Sequence, residues 1–178
     1  MTEDIAGCSI RRLRPEDEQS FLMAVERWTG ARSAPFAPGY EPTLAFGAYL
    51  DLLGAQEKGQ ALPPSLVPFT VLFGFIGSII VGRITLRHRL NARFDRVGGH
   101  IGYSVLPEYR KRGVARSMLT QTLPRARALG LGRVLLTCDD DNIGSYKVIE
   151  RCGGVLENKI EVDTDFGPRL KRRYWIAL

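Results

Sequence analysis

The chain of 178 residues is poor in cysteine and histidine and has no long hydrophobic run. Its cysteines, Cys8, Cys138 and Cys152, are an odd number without a C-x-x-C pair, which argues against a disulfide framework and a zinc site. The most apolar stretch, residues 71–82, is shorter than the roughly 20 residues that span a bilayer, and its glycines favour a β-hairpin. Residues 1–20 lack the apolar segment of a signal peptide. We therefore expect a cytoplasmic protein with three core thiols, no bound metal and no membrane partner.

Composition predicts a single globular domain over residues 1–178, because 44% of the residues are hydrophobic and no repeats or low-complexity tracts occur. The net charge of +6 fits nucleic acid, a membrane surface or an anionic cofactor. One basic cluster, residues 110–116, surrounds a glycine loop, whereas those at 83–93 and 169–173 lack interleaved aromatic platforms for bases. We therefore expect an anionic cofactor and no nucleic acid. A nucleic-acid-binding domain would instead show a steep salt dependence.

Hydrophobic periodicity and turn residues predict an α/β chain in which strands and helices alternate. Residues 91–99 are predicted to form a loop. Pro124 lies inside a predicted helix, where a proline costs about 3 kcal/mol, so we expect a bend or an early break there. The predicted strands cover residues 8–14, 69–75, 79–90, 100–105, 133–138, 155–162 and 172–178, and the predicted helices begin near Pro15 and cover 44–56, 113–129 and 142–151.

Residues 100–117 combine a strand, a proline stop and a basic glycine loop that opens a helix. Pro107 ends the strand because it cannot donate to a sheet ladder, and Gly113 lets a ligand approach the backbone. The apolar spacing of a helix follows at Val114, Met118 and Leu119. A helix N-terminus with free N–H groups beside four cationic side chains predicts an anion site.

Two motifs at this loop and beyond it carry a family resemblance. Residues 110–115 read R-x-x-G-x-A, and residues 139–157 contain N-x-x-S followed by an apolar helix and a Gly-Gly pair. Both resemble signatures of the Gcn5-related N-acetyltransferases (GNAT), and the element order over residues 8–178 agrees with that family. Three further segments resemble a bacterial GNAT subgroup known mainly as predicted acetyltransferases: 86–91, 98–103 and 153–158.

The resemblance implies an α/β (α+β) GNAT fold with a central, mostly antiparallel mixed sheet of about seven strands, splayed at the acetyl-CoA site and flanked by about four helices. It also implies a bulge in the strand before the loop, where free backbone pairs with the pantetheine arm. In this view Arg110 either contacts the pyrophosphate or orders the loop from behind. The residues that would bind acetyl-CoA as co-substrate are Tyr103, Ser104, Val105, Arg110, Lys111, Arg112, Gly113, Val114, Ala115, Arg116, Asn142 and Ser145.

Direct acetyl transfer requires a base for the amine and a proton for the departing thiolate. The candidate bases are His100, which titrates near neutral pH, and Asp139 at the end of the following strand. A core histidine satisfied by hydrogen bonds is an equal alternative for His100. Ile149 stands where many members of the resembled family have a tyrosine acid. Ser145 is therefore the candidate proton donor, and Tyr146 or water is the alternative. A Ser145 that only forms hydrogen bonds at the helix end is an equal alternative.

The resemblance implies an enzyme that transfers the acetyl group of acetyl-CoA directly to a primary amine, without a covalent enzyme intermediate. The alternative is a non-catalytic sensor of acyl-CoA, favoured if His100, Asp139 and Ser145 lie far from the thioester. The acceptor, a small-molecule or peptide amine, would be bound by residues 28–68 and a hairpin at 163–168, whose sequences do not identify it. A homodimer is left open.

Overall fold

The structure is a computed structural model that describes residues 7–29, 35–164 and 167–178. The strands are β1 (Ser9–Arg11), β2 (Phe69–Ile76), β3 (Ile79–Arg87), β4 (Ile101–Val105), β5 (Arg133–Asp139), β6 (Val155–Thr164) and β7 (Gly167–Ala177). The α-helices are α1 (Glu18–Arg27), α2 (Phe46–Glu57), α3 (Ala92–Arg96), α4 (Val114–Ala128) and α5 (Ile143–Arg151). In the described ranges, none of these helices is both long and apolar enough to cross a membrane.

The strands form two hydrogen-bonded groups. Four are ordered β1-β2-β3-β4 and three are ordered β5-β7-β6, and each of these ladders is antiparallel. The described residues form no ladder between β4 and β5. The predicted seven-stranded sheet that splays at one point is therefore confirmed, and the splay lies between these two strands.

One end of the gap between β4 and β5 is closed by His100. Its backbone N–H donates to the carbonyl oxygen of Leu135 at 2.7 Å, and its Nδ1 accepts the Leu135 N–H at 2.9 Å. Gly99 has a φ of +62°, and a Cβ built there would lie 2.2 Å from the Leu135 oxygen. A glycine is therefore required for the backbones to approach this closely. The two bonds hold the strands together where they begin to diverge.

Two apolar cores cover the two faces of the sheet. Helices α4 and α5 pack on one face, where Met118 is fully buried. A Cβ at Gly74 or at Gly82 would lie 2.7 Å or 2.9 Å from atoms of Met118, so these two glycines make room for the helix. Helices α1 and α2 cover the other face with an aromatic cluster that includes Phe21 and Phe73.

The segment predicted as a loop at residues 91–99 contains the short helix α3. The Asn91 side chain caps it by accepting the Phe94 N–H at 3.0 Å. Phe94 is buried, and the guanidinium carbon of Arg87 lies 4.1 Å from the centroid of its ring. Five residues are too few to show helical periodicity in the sequence, which is why the prediction missed this helix.

Of the two outcomes predicted for Pro124, an early break of the helix does not occur. Helix α4 runs from Val114 to Ala128 through the proline. Pro124 itself is exposed, so the carbonyl that loses its intrahelical partner is open to water. Buried side chains on both sides, Met118 and Ala126, keep the helix on the sheet, and this packing outweighs the local cost.

The bulge implied for β4 is not found in its ladder with β3, where residues 101–105 pair with residues 82–86 without a register shift. Register shifts lie in the β2–β3 and β6–β7 ladders instead. Gly74 pairs with Gly82 and Phe75 pairs with Ile80, which leaves one extra residue in β3. The gap beside β4 therefore arises from lost pairing with β5 and not from a bulge in the β3–β4 ladder.

The three cysteines are free thiols. Cys8 and Cys138 are buried as predicted, but Cys152 is only half-buried, which corrects the expectation that all three lie in the core. Burial raises the pKa of Cys138 to about 11, so this thiol stays protonated at neutral pH. The described residues contain no group of three or more His, Cys, Asp or Glu side chains that could hold a metal ion.

Candidate active site

A cleft of about 790 Å³ lies between β4 and the N-terminal ends of α4 and α5. Its walls include every residue predicted to bind the cofactor except Arg112. The remaining lining residues are Trp28, Tyr109, Gly144, Lys147, Val148 and Arg151. Two motifs that are separated in the sequence thus meet in one cleft, at the place where the sheet opens.

The N-terminus of α4 lines the cleft without a side-chain cap. Lys111 and Gly113 both have left-handed backbones, with φ of 59° and 79°, and they curl the chain just before the helix. The first helical N–H groups, those of Val114, Ala115 and Arg116, have no partner within the helix. Free N–H groups and the positive end of the helix dipole together form an anion site.

Cationic side chains surround this helix end. No aspartate or glutamate lies among the described residues that line the cleft, so the cleft has a strongly positive potential. Lys147 and Arg151 are four residues apart on α5 and therefore share one face of that helix. The cationic residues of the lining are Arg110, Lys111, Arg116, Lys147 and Arg151.

Arg110 connects the loop to the end of β4. Its Nε donates to the Val105 oxygen at 3.0 Å, and its guanidinium carbon lies 5.8 Å from the centroid of the Trp28 ring. These contacts favour the alternative in which Arg110 orders the loop. Arg112 lies outside the lining, with its guanidinium carbon 6.0 Å from the centroid of the Tyr109 ring.

The edge of β4 that faces the gap has free backbone groups. Bonds to β3 are formed by the His100 oxygen and by the Leu106 N–H. An antiparallel ladder uses every second residue. The alternate residues of β4, which include Tyr103 and Val105, therefore point their N–H and C=O groups away from β3 and toward the gap. The Val105 oxygen is taken by Arg110. This edge can accept an extended, amide-containing ligand as an additional strand.

The N-terminus of α5 contributes a capped turn and a hydroxyl pair. Asn142 Oδ1 accepts the Ser145 N–H at 3.1 Å. The Tyr103 hydroxyl lies 3.0 Å from Ser145 Oγ and donates to the Ser145 backbone oxygen at 3.1 Å. Burial raises the pKa of Tyr103, although the Ser145 bond acts in the opposite direction, so the phenol remains protonated at neutral pH.

The two predicted bases do not line the cleft. The His100 Nδ1 accepts a backbone N–H, and burial lowers the pKa of this side chain, which favours the alternative of a neutral, hydrogen-bonded core histidine. Asp139 forms ion pairs with Lys171 and, at 3.9 Å, with Arg169. The structure therefore brings Ser145 together with the predicted cofactor residues, and it places His100 and Asp139 apart from them.

The position of the family tyrosine is occupied by a core residue. Ile149 is 1% exposed, and a Cβ at Gly154 would lie 2.5 Å from one of its methyl carbons. Tyr146 packs under Arg172, whose guanidinium carbon lies 4.0 Å from the centroid of its ring, and it does not line the cleft. Ser145 and Tyr103 are therefore the hydroxyls closest to this position that line the cleft.

Some lining residues were missed by the sequence prediction. Gly144, Val148 and Arg151 have helical spacing and follow the Asn142 cap, so the face that they share was visible in the sequence. Trp28 gives no such signal. It follows α1 and reaches the cleft only because the fold brings the end of that helix next to Arg110.

The segments predicted to bind the acceptor are only partly described. Residues 30–34 and 165–166 lie outside the described residues. Within the described part of residues 28–68, Trp28 lines the cleft, whereas Phe36 and Phe46 are buried in the aromatic core. The prediction of an acceptor pocket from these segments stays a prediction.

Comparison with known proteins identifies the family. A family model described as "Acetyltransferase (GNAT) domain" matches residues 9–155. A Salmonella typhimurium protein, whose structure contains its cofactor acetyl-CoA, is 16% identical with a TM-score of 0.65, over 97% of this chain and 94% of that one. The ribosomal-protein-S5-alanine acetyltransferase of Vibrio fischeri is 17% identical with a TM-score of 0.67, over 99% and 96%. These structures show the fold, and a comparison with curated protein sequences finds no match. Because the family model spans most of its length, the chain belongs to the GNAT acetyltransferase family.

Proposed function

We propose that the protein is an acetyl-CoA-dependent N-acetyltransferase that transfers the acetyl group directly to a primary amine. The single observation that carries this proposal is the uncapped N-terminus of α4, which lies in a cationic cleft that the described residues leave without a carboxylate. A pyrophosphate bound there would accept the free N–H groups of Val114, Ala115 and Arg116. Lys111 would neutralise part of its charge.

The free edge of β4 supports the position of the pantetheine arm. Its amides would pair with the outward backbone groups of Tyr103 and Val105, as an added strand does. The thioester would then lie in the gap between β4 and β5. The Val105 N–H would donate to the thioester oxygen as negative charge develops on it during attack.

Transfer then proceeds in one sequence without an enzyme-bound acyl group. The neutral amine attacks the thioester carbon, the carbon–sulfur bond breaks, and the thiolate of coenzyme A takes a proton. Ser145 Oγ is the proposed donor of that proton, and the Tyr103 hydroxyl at 3.0 Å can pass a proton to Ser145 through the hydrogen bond that they share. His100 accepts the Leu135 N–H and Asp139 is paired with Lys171 and Arg169, so a water molecule is the proposed carrier of the proton that the amine loses. The proton that the amine loses returns through water to the hydroxyl pair and restores it.

The second candidate is a sensor that binds acyl-CoA without turnover. The contacts of His100 and Asp139 favour it, because His100 accepts the Leu135 N–H and Asp139 is paired with Lys171 and Arg169, so neither predicted base is free to take a proton from an amine. The two candidates make the same prediction for cofactor binding and opposite predictions for thiol release.

The test combines calorimetry with detection of free thiol. We expect one coenzyme A molecule to bind per chain, with an affinity that falls as salt is added, because phosphates meet cations in this cleft. We also expect amine-dependent release of coenzyme A from acetyl-CoA across a panel of primary amines. Binding without thiol release from any amine would establish the sensor, and no binding at all would overturn both candidates.

A further inference from the structure

We propose, on the basis of the proposed function, that the acceptor amine carries a carboxylate close to its amino group. The proposal concerns the face of the sheet opposite α4 and α5. On that face, four residues form a row across the gap, hereafter the acceptor row: Arg83, Ser104, Asp139 and Lys171.

The strand registers place these residues at one level. Arg83 pairs with Ser104 in the β3–β4 ladder, and Asp139 pairs with Lys171 in the β5–β7 ladder. Strands β4 and β5 run in the same direction. His100 and Leu135 join them where each begins, and Tyr103 further along β4 contacts Ser145 beyond the end of β5. Ser104 lies four residues after His100, and Asp139 lies four residues after Leu135. The Arg83–Ser104 pair and the Asp139–Lys171 pair therefore flank the open gap.

The acceptor row lies on the face that remains available to an acceptor. Side chains alternate along a strand, and Cys138 belongs to the core under α4 and α5, so Asp139 points to the other face. Arg83 also lies on that face, where it bonds the segment that follows α1. Because the cofactor cleft lies on the α4 and α5 side, an amine reaches a thioester in the gap most directly from the acceptor row.

Arg83 brings to this row a buried charge that has no carboxylate partner among the described residues. It is 5% exposed, and it donates to the backbone oxygens of Phe36 and Pro35, both at 2.9 Å, and to the hydroxyls of Thr85 and Ser104. Burial lowers its pKa to about 10, so it is still charged at neutral pH. A buried charge with no opposite charge beside it is costly, and its field extends several ångströms through the protein interior.

The other end of the row is also cationic. Lys171 and Arg169, whose side chains are 16% and 20% exposed, share the single carboxylate of Asp139. Of the other carboxylates near β7, Asp95 pairs with Arg173, and Asp140 pairs with both Lys159 and Arg172. Glu161 and Asp163 of β6 pair in register with Leu170 and Pro168, so they lie on the face opposite Lys171 and Arg169. Among the described residues, three cations thus face one carboxylate at the level of the gap.

This charge balance selects the acceptor. A carboxylate beside the amine would compensate the excess positive charge, with Lys171 and Arg169 exposed enough to contact it directly. An acceptor with further ammonium groups would instead be repelled by the same cations. The inferred class is therefore an α-amino acid or a compound with the same pair of groups, and polyamines are excluded.

The test measures kcat/KM for free amino acids and their corresponding amides, which are matched in size and differ in the charge of the carboxyl group, and for linear polyamines as multiply cationic acceptors. We expect each free amino acid that is used to exceed its amide at least tenfold, and polyamines to be poor acceptors. Lys171→Gln should reduce the ratio between acid and amide to near one, while the affinity for coenzyme A stays unchanged. Lys159→Gln, which removes a cation outside the row, should keep the ratio.

Arg83→Gln should lower the same ratio and improve the use of polyamines. If this variant does not fold, the Lys171 result decides alone. Preference for amides or polyamines in the wild-type protein, or equal loss for acid and amide in Lys171→Gln, would overturn this inference and leave the proposed function intact. Coenzyme A binding without turnover of any acceptor would overturn the proposed function, and this inference with it.

Discussion

The two ends of the gap between β4 and β5 are built in opposite ways. At the closed end, His100 supplies both a backbone donor and a side-chain acceptor to Leu135, so the polar groups there are satisfied within the protein. At the open end, Tyr103 and Val105 direct backbone groups into a cleft. Backbone groups that stay free at one end of a gap, while those at the other end are satisfied within the protein, indicate where a ligand can bind.

The same contrast separates the two helices at the open end. Helix α5 satisfies its first turn with its own Asn142 side chain, whereas α4 has no side-chain cap. Free N–H groups at the end of a helix need a partner, and in α4 that partner has to come from outside the helix. We therefore expect changes at the N-terminus of α4 to affect ligand binding first and changes at the Asn142 cap of α5 to affect local stability first.

The largest expected effect is at the uncapped helix. Gly113→Asp should weaken the binding of coenzyme A at least 100-fold in calorimetry, about 2.7 kcal/mol, because a carboxylate would repel the pyrophosphate. Gly113→Asn separates charge from backbone strain, since asparagine tolerates a left-handed φ better than most residues, and it should lose much less affinity.

Gly130→Asp is the matched control for this change. Gly130 has a φ of +84° and lies just past the other end of the same helix, with no atom within 4 Å of a built Cβ. It should bind coenzyme A like the unaltered protein. Undiminished affinity in folded Gly113→Asp would contradict the assignment of the phosphates to α4.

The closed end should respond in stability. His100→Ala leaves the Leu135 N–H without its acceptor, and we expect the free energy of unfolding to fall by about 1–3 kcal/mol in urea denaturation. Because burial lowers the pKa of folded His100, the unfolded chain binds more protons below about pH 6.5. The stability that neutral His100 contributes to the unaltered protein is therefore fully present above that pH, and it decreases as the pH falls toward the folded pKa of His100.

His88→Ala is the comparison for this prediction, because burial also lowers the pKa of His88 and both histidines contribute in the same direction. His100→Ala should remove part of the pH dependence that His88→Ala retains. A His100→Ala protein of unchanged stability that has lost its turnover would instead identify His100 as the base.

The next effect concerns the hydroxyl pair at the open end. Ser145→Ala should lower kcat about tenfold, near 1.4 kcal/mol, while coenzyme A affinity changes little, because the thiolate loses its proposed proton donor. Tyr103→Phe should lower kcat less, because the Tyr103 hydroxyl only passes a proton to Ser145. Steady-state rates across pH measure both. Unchanged turnover and an unchanged pH profile in Ser145→Ala would remove Ser145 from the mechanism.

The smallest effect is expected at the capped helix. Asn142→Ala removes the cap and should destabilise the protein by about 1 kcal/mol in thermal or urea unfolding. Asn91→Ala removes an equivalent cap from α3, away from the cleft, and should cost a similar amount without altering coenzyme A affinity. If Asn142→Ala loses more free energy of coenzyme A binding than free energy of unfolding, α5 contacts the ligand more strongly than its capped N-terminus predicts.

Local patterns were sufficient to predict much of the fold. The turn at Gly77 and Ser78 separates β2 from β3 as expected, and the predicted helix at 142–151 begins one residue later, with Asn142 as its cap. These features depend on neighbours in the chain, which the sequence displays directly. The short helix α3 was not predicted, and the sequence left open whether α4 breaks at Pro124, because packing against the sheet decides both.

The sequence by itself determined the family and the order of all the longer elements, and it predicted the loop before α4 as the phosphate site, because each rests on glycine, proline and charge at fixed spacing. The tertiary structure alone decided what His100, Asp139 and Tyr103 touch. Their partners are Leu135, Lys171 and Ser145, which lie far from them in the chain. A hydrogen bond or ion pair depends on distances between strands, and spacing along the chain does not encode those distances.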